Sequence, residues 1–359
     1  MIKPPEHIRA IKPYLPGKPV EELQRELGIK EAVKLASNEN PLGPSPMALE
    51  ALKGKLSGLN RYPDGSGFYL KRELSMRLGV DEDEIILGNG SNELLDIATR
   101  TFMTTEDEAV MANPSFVVYP MAVQSIGARS VQVSLKDWRH DLRTMAESIT
   151  ERTKIVFIAN PNNPTGTINH KDEFHEFMSQ LPEGVLVIVD EAYYEYVRDK
   201  GYPDTLEYFR EGGDILILRT FSKVYGLAGL RIGYGIAKKE LVTEINKLRE
   251  PFNTNTPAQA AALASLGDSD HIQRSVTINE EGKSYLYGEF ERLGMDYVPT
   301  EANFIYVKLK TPSASELFSR LLKKGVIIRP VGPDAVRITI GLPEENSILV
   351  KALEEELVP

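Results

Sequence analysis

"KIVFIANPNNPTG", residues 154–166, runs without a break from an apolar segment into a loop of Asn, Pro, Thr and Gly. The apolar part is too short for a helix of its own and has no polar face. Such a run fits a strand covered on both sides. The same grammar recurs on either side. "VLVIVD" (185–190) is followed by "EAYYE", and "DILILR" (214–219) by "TFSK"; upstream, "EIIL" (84–87) leads into "GNGSNE" and "EAVMA" (108–112) into "NPSF". "SVQVSL" (130–135) is a further strand candidate. Amphipathic segments at about 91–103, 115–126, 141–150 and 170–180 separate the runs, the first opening on the helix-start signal Ser91-Asn92-Glu93. Short apolar runs alternating with helices specify an α/β fold in which helices cover both faces of a mostly parallel sheet, making three layers. Ligands of such sheets sit outside the carboxyl ends of the strands, so the five polar loops are expected to meet in one crevice.

The character changes near residue 250. "REPFNTNTP" breaks the pattern, and helical segments at 256–266 and about 271–293 lead to "EANFIYVKL", "GVIIRPV" and "AVRITIG". These describe a smaller α+β unit. The expected organisation is an N-terminal segment, 1–40, packing on the small domain, a large domain over 41–250 and a small C-terminal domain over 251–359.

The bulk composition excludes several classes of function. With 359 residues, 42% apolar and 26% charged, the chain has the make-up of a globular protein. A net charge of −10 without a Lys/Arg block argues against nucleic acid as a partner. The absence of cysteine removes disulfides, thiolate metal sites and thiol nucleophiles. The histidines His7, His140, His170, His175 and His271 have no metal-ligand spacing, so no metal is expected. Prolines and charges occupy the N-terminus where a signal peptide needs an apolar core, no window is long and apolar enough for a membrane span, and a cytoplasmic location is expected.

The loops carry the chemistry. Lys223, one turn past a buried strand, has an amine that becomes a carbonyl nucleophile once desolvated or set beside another cation. Asp190 ends the neighbouring strand, where a carboxylate can keep a heteroaromatic nitrogen protonated. Tyr193 and Asn163 can hydrogen-bond a ring oxygen. Gly90, Ser91 and Asn92 lie at a strand-to-helix turn whose free N–H groups and dipole favour an anion, with Thr220, Ser222 and Arg231 able to close its other side. Phe116 offers an aromatic face for stacking. These are the groups that pyridoxal phosphate requires of its protein.

"SNENPLGP", "NPNNPTG", "DEAYYE" and "TFSKVYGLAGLRIGYG", in this order and spacing, resemble the fold-type I pyridoxal-phosphate aminotransferases of class I/II over about residues 34–341. The resemblance implies that Lys223 carries the coenzyme and that Asp190 holds its ring nitrogen. Tyr193 and Asn163 would hold its ring oxygen, while Arg231, Ser222, Thr220, Ser91 and Asn92 would bind its phosphate. It further implies a homodimer in which Tyr62 of "NRYPDGSG" reaches the coenzyme phosphate of the other subunit. Within that family "KPYLPGKP", "RYPDGSG", "EANFIYV" and "VRITIG" resemble the branch that moves an amino group from histidinol phosphate to 2-oxoglutarate, giving glutamate, in histidine biosynthesis. By that likeness Arg337, Arg329 and Tyr14 would grip the substrate phosphate, and Asn40 would line the substrate side.

Aromatic-amino-acid aminotransferases and threonine-phosphate decarboxylase share the scaffold and much of the motif set. The former need an apolar slot in place of cationic clamps. A nicotinamide-linked oxidoreductase would need the full GxGxxG and a downstream acid, both absent. A transcription regulator built on the fold would need a helix-turn-helix domain for which the chain has no room.

Overall fold

The computed structural model describes residues 2–14, 17, 19–28 and 32–357; Leu15, Pro16 and Lys18 of "KPYLPGKP" lie outside them. Thirteen strands are present among the described residues. A short β1 (Val33–Lys34) precedes β2 (Ile85–Gly88), β3 (Glu108–Asn113), β4 (Arg129–Ser134), β5 (Thr153–Ala159), β6 (Leu186–Asp190), β7 (Ile215–Thr220) and β8 (Gly233–Ile236). The last seven form one sheet in the order β2-β8-β7-β6-β5-β3-β4. All its pairs are parallel except the two made by β8.

Burial explains why the runs become central strands. Ile155, Val156, Phe157 and Ile158 all have 0% exposure, and alternate residues of β5 enter two separate apolar clusters on opposite faces of the sheet. Each such side chain contributes about 1.5–3 kcal/mol on burial. The helices fall within a few residues of their expected spans, at Ser91–Phe102, Val118–Ser125, Leu142–Glu147 and Lys171–Ser179.

The strand β8 was not among the expected runs. Its sequence, GYGI, has glycine at alternate positions, and the packing requires it: a Cβ on Gly233 would lie 2.6 Å from the Ser91 nitrogen and 2.9 Å from the Arg219 oxygen. The glycine lets β8 slip between β2 and β7 and brings Arg231, just before it, against the start of helix Ser91–Phe102.

The strands β9 (Asp296–Val298), β10 (Phe304–Lys308), β12 (Arg329–Pro330) and β13 (Ala335–Thr339) form an antiparallel sheet, while β11 (Val326–Ile327) pairs in parallel with β1. The N-terminal segment is stitched to this unit, with Leu35 N–H donating to Ile327 O at 2.8 Å and Thr339 N–H donating to Leu35 O at 2.9 Å. Helix Ser269–Arg292 links the two cores, since Val276 packs into the large-sheet cluster and Leu286 and Phe290 into the small-sheet one. Asp268 caps it by accepting from His271 N–H.

Candidate active site

The loops after β2, β3, β5, β6 and β7 converge on one cavity of about 240 Å³, whose remaining wall comes from Tyr14, from Ser37, Asn38 and Glu39 and from Arg337 on β13. At the floor, Asp190 ends β6. Tyr119 O–H donates to its Oδ2 at 3.0 Å and Ala192 N–H to its Oδ1 at 3.2 Å. Burial pushes its carboxyl up to about 6, opposed by these two donors and by the nearby Lys223.

Lys223 follows β7 and is half-buried, its Nζ 3.4 Å from Ser37 O and 5.4 Å from the centre of the Tyr193 ring. Burial brings its amine down to about 8; Arg337 and Arg231 act in the same direction, while Glu39 and Asp190 oppose them. A lysine so tuned keeps an unprotonated fraction near neutral pH, as a nucleophile or base requires.

One end of the cavity is an anion cradle. Helix Ser91–Phe102 has no side-chain N-cap, and Gly90 before it adopts φ 74°, ψ 165°, a region essentially closed to other residues. A Cβ there would stand 2.5 Å from an Arg231 guanidinium nitrogen, so the glycine admits the cation to the helix start. Arg231 is itself held at φ 57°, and its Nη1 donates to Ala228 O at 3.2 Å and to Ser222 Oγ at 3.4 Å. Thr220 O–H in turn donates to Ser222 Oγ at 3.0 Å. Free N–H groups, a guanidinium and hydroxyls together suit a phosphate.

At the other end Arg337 donates from Nη1 to Asn163 Oδ1 at 2.6 Å and from Nη2 to Ala36 O at 2.7 Å. An adjoining cavity of about 210 Å³ is lined by Tyr14, Phe116, Asn163, Arg329 and Arg337. The Arg329 guanidinium carbon is 5.0 Å from the Tyr14 ring centre. The two arginines expected as substrate clamps thus share a wall.

Two sequence-picked residues lie elsewhere. Asn40, expected to line the substrate side, is not on the wall of this cavity. Its Nδ2 donates to Val224 O at 2.7 Å and Ser275 Oγ at 2.9 Å, and its Oδ1 accepts from Leu42 N–H at 3.0 Å, so every polar group of the side chain secures the loop. Tyr62 is 81% exposed, outside its own chain's cavity, and stacks on Phe252 with ring centres 4.7 Å apart.

Other contributors are not among the residues expected from the sequence. Tyr119 holds Asp190, stacks on Phe157 at 5.0 Å and meets the Phe116 ring edge-on at 5.6 Å. Asn38 donates to Tyr193 Oη at 2.9 Å, alongside Asn163 at 3.3 Å. Beneath the loop after β6, Arg219 and Glu191 form a buried ion pair at 2.8 Å. His140, whose imidazole burial pulls down to about 4, lies 3.1 Å from Asn162 Oδ1 and braces the "NPNNPTG" loop.

The donor set fits a phosphorylated pyridine aldehyde: a cradle for phosphate, an acid that gains by ionising against a cationic ring nitrogen, an aromatic wall and an activatable amine. Residues 30–353 match the sequence profile of the aminotransferase class I and II family. The chain is 50% identical over 357 residues to a histidinol-phosphate aminotransferase of Moorella thermoacetica, covering 98% of this chain and 92% of the relative. Against a histidinol-phosphate aminotransferase 1 of Nitrosococcus oceani the identity is 48% over 354 residues, covering 98% and 95%. The crystal structure of histidinol-phosphate aminotransferase from Sinorhizobium meliloti in complex with pyridoxal 5′-phosphate superposes with a TM-score of 0.90 at 28% identity, covering 98% of this chain and 96% of that one.

Proposed function

The chain belongs to the aminotransferase class I and II family, and from that premise we infer that it transfers an amino group from L-histidinol phosphate to 2-oxoglutarate. The products are imidazole-acetol phosphate and glutamate, the pathway is L-histidine biosynthesis, and the coenzyme is pyridoxal 5′-phosphate. The observation that carries this reading is a cavity with Lys223 and Asp190 at its centre and cationic groups at both ends, one for the coenzyme phosphate and one for a phosphorylated substrate.

Bound there, pyridoxal phosphate supplies an aldehyde that condenses with amines and a protonated ring that draws electron density from the substrate. Lys223 Nζ would hold the coenzyme covalently and, when free, would serve as the base that takes the substrate's Cα proton and delivers it on the coenzyme side. Asp190 would hold the ring nitrogen in its protonated form. Ionising against that cation reverses the burial that otherwise holds the acid near pH 6. Ser91, Asn92, Thr220, Ser222 and Arg231 would bind the coenzyme phosphate, Gly90 admits Arg231 to them, and Phe116 would supply an aromatic face for the ring. Tyr193 and Asn163 would hydrogen-bond the ring oxygen. Arg337 and Arg329, with Tyr14, grip the substrate phosphate and the carboxylate of 2-oxoglutarate.

The same reading includes a homodimer in which Tyr62 completes the partner's phosphate site. Its exposure, and that of Leu59, Phe68, Tyr69 and Phe252 nearby, supports a covered apolar face. It also includes the division of the chain at 40/41 and 250/251, and a cytoplasmic location. Among the described residues no helix is long and apolar enough to cross a membrane.

Steady-state kinetics test the substrate. The reading requires a higher kcat/KM for histidinol phosphate than for phenylalanine, with transfer to 2-oxoglutarate and no release of carbon dioxide. Preference for phenylalanine would reassign the enzyme to aromatic substrates, and decarboxylation of a phosphorylated amino acid would overturn the reaction type.

A further inference from the structure

We propose that Asn38 and Thr339 are positioning residues that fix the Tyr193 hydroxyl as a one-way proton donor into the cavity. The inference rests on the coenzyme reading above for the identity of the acceptor, and on the hydrogen-bond geometry for everything else.

The orientation of each group follows from what its partners can do. The Asn38 backbone N–H, which can only donate, points at Thr339 Oγ1 from 2.9 Å. The Thr339 hydroxyl proton is therefore free to go to Asn38 Oδ1, 3.1 Å away. With its oxygen end taken, Asn38 turns its NH₂ toward Tyr193 Oη at 2.9 Å. The second arm is fixed just as firmly. Arg337 has no acceptor, so its 2.6 Å contact assigns the Asn163 oxygen, and the Asn163 NH₂ faces Tyr193 Oη at 3.3 Å.

A phenolic oxygen has two lone pairs and one proton. Two amide donors occupy the lone pairs, so the proton has to point along the remaining direction. Among the described residues the Tyr193 hydroxyl donates to no protein acceptor, and Tyr193 lines the cavity. The proton is thus directed at whatever occupies the cavity.

Asn38 can hold this role because its own conformation is over-determined. It is 1% exposed, sits at φ 56° in the left-handed region that Asn tolerates, and has its carbonyl bonded by Asn303 Nδ2 at 3.0 Å. Its N–H, C=O, Oδ1 and Nδ2 are all engaged. The anchor, Thr339, lies two residues from Arg337 on β13, so both arms are carried by one strand of the small sheet.

A donor aimed at the coenzyme's ring oxygen stabilises that oxygen's negative charge and so lowers the pH at which the visible spectrum of the lysine-bound coenzyme titrates. Weakening the donor raises that midpoint. The experiment is a pH titration of the visible absorption band of the coenzyme-loaded protein. Asn38→Gly keeps the backbone conformation and deletes the amide. Thr339→Val frees the amide to rotate and offer its oxygen to Tyr193, and Thr339→Ser restores the hydroxyl. We expect midpoints raised by about 0.5–1 pH unit in Asn38→Gly and Thr339→Val, the worth of one hydrogen bond, with Thr339→Ser within about 0.2 of the parent. In a Tyr193→Phe background Asn38→Gly should add no further shift.

Unchanged midpoints in both single variants, or an equal shift from Asn38→Gly with Tyr193 removed, would overturn the proposal. If the parent shows no visible band with pyridoxal phosphate, the coenzyme reading itself has failed, which is a separate result.

Discussion

Replacing Asp190 with Asn should make the coenzyme-free protein more stable while disabling it. Burial raises this carboxyl from 3.8 to about 6. Between those values the native state binds the proton more tightly than the unfolded chain does, so stability falls as pH rises through the window. The full cost is reached above pH 6, and with 1.36 kcal/mol per unit the 2.2-unit difference between 3.8 and 6 amounts to about 3 kcal/mol. About half of it is already present at pH 5. Asn is nearly isosteric, and its oxygen can still accept from Ala192 N–H while its amide donates to the Tyr119 hydroxyl, but it carries no charge to bury. Urea unfolding of the coenzyme-free parent and Asp190→Asn should therefore give a stability difference favouring the variant by about 1–2 kcal/mol at pH 5 and about 3 kcal/mol at pH 8. Turnover of the loaded variant should fall by at least about a hundredfold, since the neutral amide cannot hold the ring nitrogen's proton. A stability difference that is flat with pH, or a variant less stable than the parent at pH 8, would refute the claim that burial strains this acid.

Three other perturbations follow from the same geometry. Gly90→Ala sets a Cβ 2.5 Å from the Arg231 guanidinium at a backbone conformation suited to glycine; it should cost about 1–3 kcal/mol of stability and weaken pyridoxal-phosphate binding at least about tenfold, measured by fluorescence titration. Glu191→Leu leaves the Arg219 guanidinium buried without its partner and should cost about 3–5 kcal/mol by denaturant unfolding, most of it recovered when Arg219→Met is added. Arg337→Ala removes a charge-assisted contact and should raise KM for the phosphorylated substrate by about tenfold or more; a large fall in kcat at unchanged KM would assign it a different role.

What could be read from the sequence was what is local along the chain. The runs at 154–159, 185–190 and 214–219 announce their strands because each is apolar throughout, and the loops after them carry their side chains to the cavity by chain continuity alone. β8 was missed because a four-residue run with two glycines has neither length nor periodicity. Its place depends on the close approach of Gly233 to Ser91 N and Arg219 O, which no single segment encodes. Tyr119 looks like a core aromatic of an amphipathic helix and becomes the support of Asp190 only through a contact spanning 71 residues. Asn38 and Thr339 meet across 301 residues. Asn40 shows the converse: its motif placed it on the correct loop, but whether a side chain faces the cavity or braces its own loop is decided by Val224 and Ser275, far away in sequence.

Trapping the coenzyme on its lysine is the most direct test of the whole account. The protein loaded with pyridoxal phosphate, reduced with borohydride and digested, should yield a single peptide carrying the coenzyme's mass, with the modification on Lys223; Lys223→Ala should yield none. A modified peptide from any other lysine, or none from the parent, would contradict the assignment.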